Sequence, residues 1–237
     1  MPVTDLSNPP MMPRPVPTSQ RPLLGQTVLL VEDSRYASEA VRLLALRSGA
    51  RIRRADCIAS AERHLGTYRA GIAIVDLGLP DGDGLTLIRT LANAKQRPAA
   101  LLATSGQARA EVESEAMAAG ADGFLAKPIE SLAAFQHAIL KHLPVEEHPK
   151  GPRALPGDTV EPDPLALSED LVYAERMLAD ESIAPAYVAN FLAGLARTKN
   201  DADFLAETET LAASNVDDLR PQLRNLIARR LGARRVV

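Results

Sequence analysis

Glu32, Asp33, Asp76, Thr104 and Lys127 each stand at the end of a short apolar run: TVLLV, IAIV, ALLA and FLA. If those runs are neighbouring strands, three carboxylates, a hydroxyl and an ammonium meet at one rim. Carboxylates crowded together repel and hold protons more tightly unless a cation neutralises them. With few, hard oxygen donors the natural cation is Mg²⁺, which keeps several waters and shares an oxygen with a phosphate. Beside it Asp76 is equipped to attack phosphorus as a nucleophile and form an aspartyl phosphate. The metal would screen the attacking carboxylate from the phosphoryl oxygens. Lys127 supplies a flexible point cation for one of those oxygens, and Thr104 a hydrogen-bond donor.

The elements that must position these groups are legible around them. TVLLVED (27–33) is a nearly continuous apolar run, as expected of a strand buried on both faces of a parallel sheet. Ser34 caps a predicted helix with Ala37, Val41, Leu44 and Ala45 on one face, and Gly49 stops it. ARIRRAD reads as a polar strand suited to a sheet edge, followed by a helix carrying Ile58, Ala61 and Leu65. GIAIVDLGLPDGDG (71–84) is a strand entering a Gly/Asp/Pro loop. After it come LTLIRTLANA (helix), PAALLATSG (strand), EVESEAMAAGA (helix), DGFLAKPI (strand and loop) and SLAAFQHAILKHL (helix). Five strands alternating with five helices predict a doubly wound α/β fold with a five-stranded parallel sheet. In such a sheet ligands bind outside the carboxyl ends of the strands, where the five candidate residues fall.

The runs VLLVEDS, IVDLGLPDGDG, ATSG and FLAKP resemble, in order and approximate spacing, the receiver domain of bacterial two-component response regulators, a CheY-like, flavodoxin-like fold. The resemblance covers about residues 24–145. It implies that Asp76 is the phosphoacceptor and that Glu32 and Asp33 are the acidic pair which, with Asp76 and the backbone carbonyl of Gly78, holds Mg²⁺. It further implies that Thr104 is the switch hydroxyl, Lys127 the phosphate-contacting lysine and Phe124 the aromatic that turns inward on activation. Lys127-Pro128 would be a cis peptide, a link found almost only before proline.

Flanking this unit, residues 1–23 carry seven prolines among small polar residues and are expected to be a disordered arm. Residues 146–164 read as a linker punctuated by Pro and Gly. Residues 165–237 are expected to be helical, in four segments. Leu171, Ala174 and Leu178 share one face, as do Tyr187, Phe191 and Leu195; Phe204 and Leu211 share another, as do Leu219, Leu223, Leu226 and Ile227. Four short helices make a marginal core alone, so docking on the receiver, self-association or folding on a partner is expected. Charge is divided: from Arg153 to Asp218 fourteen acidic residues face four basic ones, whereas Arg220 to Val237 has six arginines and no acid.

The whole chain of 237 residues has a formal charge of −3, which argues for no polyanionic partner by itself. A lone Cys57 forms no internal disulfide, no apolar run approaches a membrane span, and the N-terminus lacks a secretory pattern, so a cytoplasmic protein is expected. The expected partners are a sensor histidine kinase or phosphotransfer protein, and downstream a protein target or a second copy of the chain. A DNA-binding regulator using the basic C-terminal helix is the alternative, since six arginines are able to touch phosphates. An aspartate-nucleophile phosphohydrolase is a third class. Such enzymes carry an acid two positions after the nucleophile, and here that position is Gly78, so no enzymatic turnover is expected.

Overall fold

The computed structural model describes residues 15–106, 110–151, 157–213 and 219–232. Among these residues the N-terminal unit contains seven strands: β1 (Thr27–Val31), β2 (Arg51–Ala55), β3 (Ile72–Asp76), β4 (Gly78–Leu79), β5 (Gly82–Asp83), β6 (Ala100–Ser105) and β7 (Gly123–Ala126). Between them run α1 (Arg35–Arg47), α2 (Ile58–Thr67), α3 (Gly84–Ala92) and α4 (Ala110–Ala118), and α5 (Leu132–Leu140) follows the last strand. Five strands form one parallel sheet in the order β2-β1-β3-β6-β7, while β4 and β5 close a separate two-residue antiparallel ribbon. The strand order reverses between β1 and β3, which is where such sheets bind ligands.

Burial explains the apolar runs. Alternate residues of the central strands point to opposite sides, so a strand covered on both faces is apolar throughout. Val28, Leu30, Ile72, Ile74 and Leu102 pack under Val41 and Leu44 of α1 and Phe135 and Ile139 of α5. Leu29, Val31, Ala73, Val75 and Leu101 pack under Ala61, Leu87, Ile88 and Ala116 from the three helices on the other face. The arginine-rich β2 lies at the edge, as its composition predicts.

Local signals act as expected at the start of α1. Ser34 Oγ accepts from the Ala37 amide at 3.0 Å, and Gly49, with φ +87°, ends the helix in the left-handed region. The Leu-Pro-Asp-Gly-Asp-Gly stretch has a structural task as well. Asp81 accepts from the Ile58 and Ala59 amides at the start of α2, and Asp83 caps α3 through the Leu85 amide. Gly84 is obligatory here, because a Cβ at that position would lie 2.1 Å from the Asp76 carbonyl oxygen.

Residues on either side of this unit pack onto it. Of the Pro-rich stretch, residues 1–14 lie outside the described residues, while Leu23 is wholly buried in the core and its amide donates to the Ser48 carbonyl. In the linker stretch, Val160 enters the same core and Thr159 bridges to Ser131.

Four helices follow among the described residues: α6 (Pro164–Ala179), α7 (Pro185–Thr198), α8 (Ala202–Ala212) and α9 (Leu219–Gly232). The faces expected to be apolar meet in one cluster: Leu171, Ala174 and Leu178 of α6, Phe191 and Leu195 of α7, Phe204 of α8, and Leu223 and Ile227 of α9. Tyr36 of α1 packs against this cluster, so the helical unit docks on the sheet-containing unit rather than standing apart. Most of the described basic tail is spent inside this unit. Arg220 donates to the Ile183 carbonyl and, like Arg224, to the Leu178 carbonyl at the end of α6, while Arg230 stacks 4.7 Å over Phe204 and pairs with Glu207. Cations at a helix C-terminus meet its negative end favourably.

Candidate functional site

The sheet brings Glu32, Asp33, Asp76 and Lys127 together. β3 and β6 pair in register, placing Asp76 opposite Thr104, while Glu32 and Asp33 follow directly from β1. Arg54 of the edge strand fixes the acidic pair by donating to the Glu32 and Asp33 carbonyls at 3.2 and 2.7 Å. Lys127 follows β7 directly, and the Lys127-Pro128 peptide is cis. Lys127 Nζ then reaches both Glu32 Oε2 at 2.6 Å and Asp76 Oδ2 at 2.9 Å. All three side chains are at most 10% exposed.

Carboxylate oxygens of Glu32, Asp33 and Asp76 lie within 4.8 Å of one another, the one such acidic or metal-ligating group among the described residues. Burial pushes Glu32 up to about 8 against the pull of Lys127, with the nearby Asp76 and Asp33 charges adding to the rise. Burial likewise pushes Asp33 up to about 6, although a hydrogen bond from Tyr187 draws it down. Lys127 is held firmly protonated: Asp76 and Glu32 more than offset its own burial. One buried ammonium thus faces three buried carboxylates, and the deficit of positive charge fits a hard divalent cation with oxygen preference. The cluster opens on a cavity of about 310 Å³ that also touches Gly78, Ser105 and Gly106.

Two further expected residues lie outside this cluster. Thr104 is fully buried and its hydroxyl donates to the Leu125 carbonyl of the neighbouring β7 at 2.7 Å, so that it does not line the cavity that the adjacent Ser105 touches. Phe124 is half-buried among the apolar residues of the α2–α4 face. Gly78 is exposed at the cavity wall, in the ribbon that follows Asp76.

Sequence reasoning missed two side chains from the helical unit. Tyr187 of α7 donates its hydroxyl to Asp33 Oδ2 at 2.5 Å. Asp170 of α6 is wholly buried at the start of α1, accepting from Ser34 Oγ and from the Arg35 and Tyr36 amides at 2.8, 2.8 and 2.9 Å. Burial raises Asp170's affinity for its proton, and the three donors oppose that rise. Tyr187 was visible only as one member of an apolar helical face, and Asp170 only as one acid among many. Residues Asn190, Phe191, Gly194, Arg197 and Thr198 extend the α7 wall along the cavity.

Residues 28–139 match the family model of the response regulator receiver domain. The virulence transcriptional regulatory protein PhoP of Salmonella typhimurium (strain LT2) is 33% identical over 116 residues, 48% of this chain and 51% of that protein. The KDP operon transcriptional regulatory protein KdpE of Escherichia coli (strain K12) is 29% identical over 147 residues, 61% of this chain and 58% of that protein. A crystal structure of a putative response regulator from Chloroflexus aurantiacus J-10-fl aligns with a TM-score of 0.46 and 27% identity, over 49% of this chain and 98% of that one. The chain therefore spans about half the length of the curated relatives it matches. With the five-stranded parallel sheet, the acidic cluster and the lysine that bridges it in place, residues 28–139 constitute a response regulator receiver domain.

Proposed function

We propose that this chain is a phosphorylation-controlled switch of a two-component pathway in which Asp76 accepts a phosphoryl group. The carrying observation is the buried contact of Lys127 with both Asp76 and Glu32, beside Asp33 and against the cavity. Glu32, Asp33, Asp76 and the Gly78 carbonyl would hold Mg²⁺, which when bound screens the charge between carboxylate and phosphoryl oxygens. An Asp76 carboxylate oxygen forms the new bond to phosphorus, and the bond from phosphorus to its donor breaks. The donor is an imidazole nitrogen of a sensor histidine kinase or phosphotransfer protein. Lys127 then pairs with a phosphoryl oxygen in place of the Asp76 oxygen it holds here. Nothing at Gly78 supplies an acid to a leaving group, which argues against a phosphohydrolase.

Output passes through the receiver surface and the docked helices to a protein partner or a second copy. DNA is the less supported target. The PhoP and KdpE relatives are transcriptional regulators, but the PhoP match covers 48% of this chain, and the described arginines of α9 largely serve contacts within the helical unit. No helix among the described residues is long and apolar enough to cross a membrane, in keeping with a cytoplasmic switch.

Incubation with acetyl phosphate and Mg²⁺ tests the assignment by intact mass. The expected result is a gain of one phosphoryl group that requires Mg²⁺ and is absent in Asp76→Asn. Equal gain in the variant would overturn it.

A further inference from the structure

In this arrangement every carboxylate of the cluster is already engaged by a donor of the chain. Lys127 serves Glu32 and Asp76, and the third, Asp33, is served by Tyr187, which lies 154 residues away in the helical unit. We propose that Tyr187 is a positioning residue of the phosphoacceptor site: its hydroxyl and the metal compete for Asp33, so that docking of α7 lowers the affinity for Mg²⁺. This inference rests on the reading of the cluster as a Mg²⁺-dependent phosphoacceptor.

Three observations carry it. The Tyr187 bond is short, points at a buried carboxylate, and comes from an element that lines the same cavity through Asn190, Gly194 and Arg197. α7 also lies against the end of β6, where a Cβ on Gly106 would come within 3.3 Å of the Gly194 Cα. The helix therefore spans from the end of β1 to the end of β6, across the mouth. Finally, Asp170 ties α6 to Ser34, the residue immediately after Asp33, so the helical unit is anchored at the acidic pair itself.

The competition follows from charge and space. A phenolic donor and a dication both draw on the negative charge of Asp33, and Mg²⁺ keeps waters that need room beside its carboxylates. Tyr187 fills that room. By linkage, a metal whose affinity is lowered by docking must weaken docking by the same factor. The site would then be opened from inside the chain: the helical unit sets how readily the receiver is charged, and charging loosens the helical unit.

The test uses the full chain and Mg²⁺ alone, titrated calorimetrically into wild type and Tyr187→Phe, with hydrogen exchange of α7 recorded with and without Mg²⁺. Removing one hydrogen bond to a charged acceptor is expected to tighten Mg²⁺ binding about 3- to 10-fold. In wild type Mg²⁺ should speed exchange in α7; in the variant exchange should be fast without it. Asp170→Asn, which loosens the anchor without touching the cluster, should tighten Mg²⁺ binding in the same direction. Unchanged or weaker binding in Tyr187→Phe would overturn the proposal, since a tyrosine that merely orients Asp33 predicts a loss. Failure of the wild type to bind both Mg²⁺ and beryllofluoride would instead overturn the phosphoacceptor reading beneath it.

Discussion

Asp170→Ala removes the acceptor that joins the two units. The carboxylate is wholly buried and accepts three hydrogen bonds, two from the first amides of α1 and one from Ser34 Oγ. Hydrogen bonds to charged groups contribute about 1.5–3 kcal/mol each, and losing a helix cap costs about 1 kcal/mol. These do not add, because Ser34 still caps Ala37 and the desolvation of a buried carboxylate is recovered on deletion. A net loss of about 2–3 kcal/mol follows, which for a chain of this length lowers the melting midpoint by about 4–12 °C. Urea unfolding monitored by circular dichroism measures the loss, and hydrogen exchange locates it. The amides of Arg35 and Tyr36 should exchange faster, together with α6 and α7, while the central strands remain protected. A loss below about 0.5 kcal/mol, with those amides unchanged, would refute the view that Asp170 anchors the helical unit, because it would place the change in the range of ordinary surface substitutions.

Lys127→Met should leave two buried carboxylates without their cation, costing about 3–5 kcal/mol at neutral pH and abolishing phosphoryl uptake; denaturant melts and intact mass check the two effects separately. Mg²⁺ affinity should climb as pH rises between about pH 5 and pH 8, because the metal must displace protons from groups that burial holds at about 6 and 8. The same shifts act oppositely on the metal-free protein. A carboxylate raised above its unfolded value binds its proton more tightly when folded, so stability from these two groups falls as pH rises through that window. Calorimetric titrations at three pH values, with and without metal, separate the two trends; an affinity independent of pH would count against proton displacement.

Much of this molecule is legible in its sequence because period and burial are coupled. The runs TVLLV, IAIV and ALLA read as buried strands, and the reactive residues lie at their ends because chemistry in a parallel sheet has one available rim. The faces of α6 to α9 were equally readable, since Leu171, Ala174, Leu178, Phe191 and Leu195 recur at helical spacing. What those faces pack against was not. Periodicity tells which side of a helix is buried, never which partner buries it, so the docking of α6 on α1 left no local trace. Tyr187 illustrates the limit: its ring belongs to the apolar face, while its hydroxyl finds a carboxylate from the other end of the chain. Leu23 shows the converse, a single apolar residue that enters the core at the end of a Pro-rich stretch without any periodic signal.

The central claim is that Asp76 carries the phosphoryl group, and locating the modified atom tests it most directly. The chain charged with acetyl phosphate and Mg²⁺ would be reduced with borohydride, which converts an aspartyl phosphate to an alcohol, and then mapped by tandem mass spectrometry. Reduction confined to position 76 is the predicted result. Label at Glu32 or Asp33, or a phosphoryl group that survives borohydride on a serine, threonine or histidine, would contradict the account.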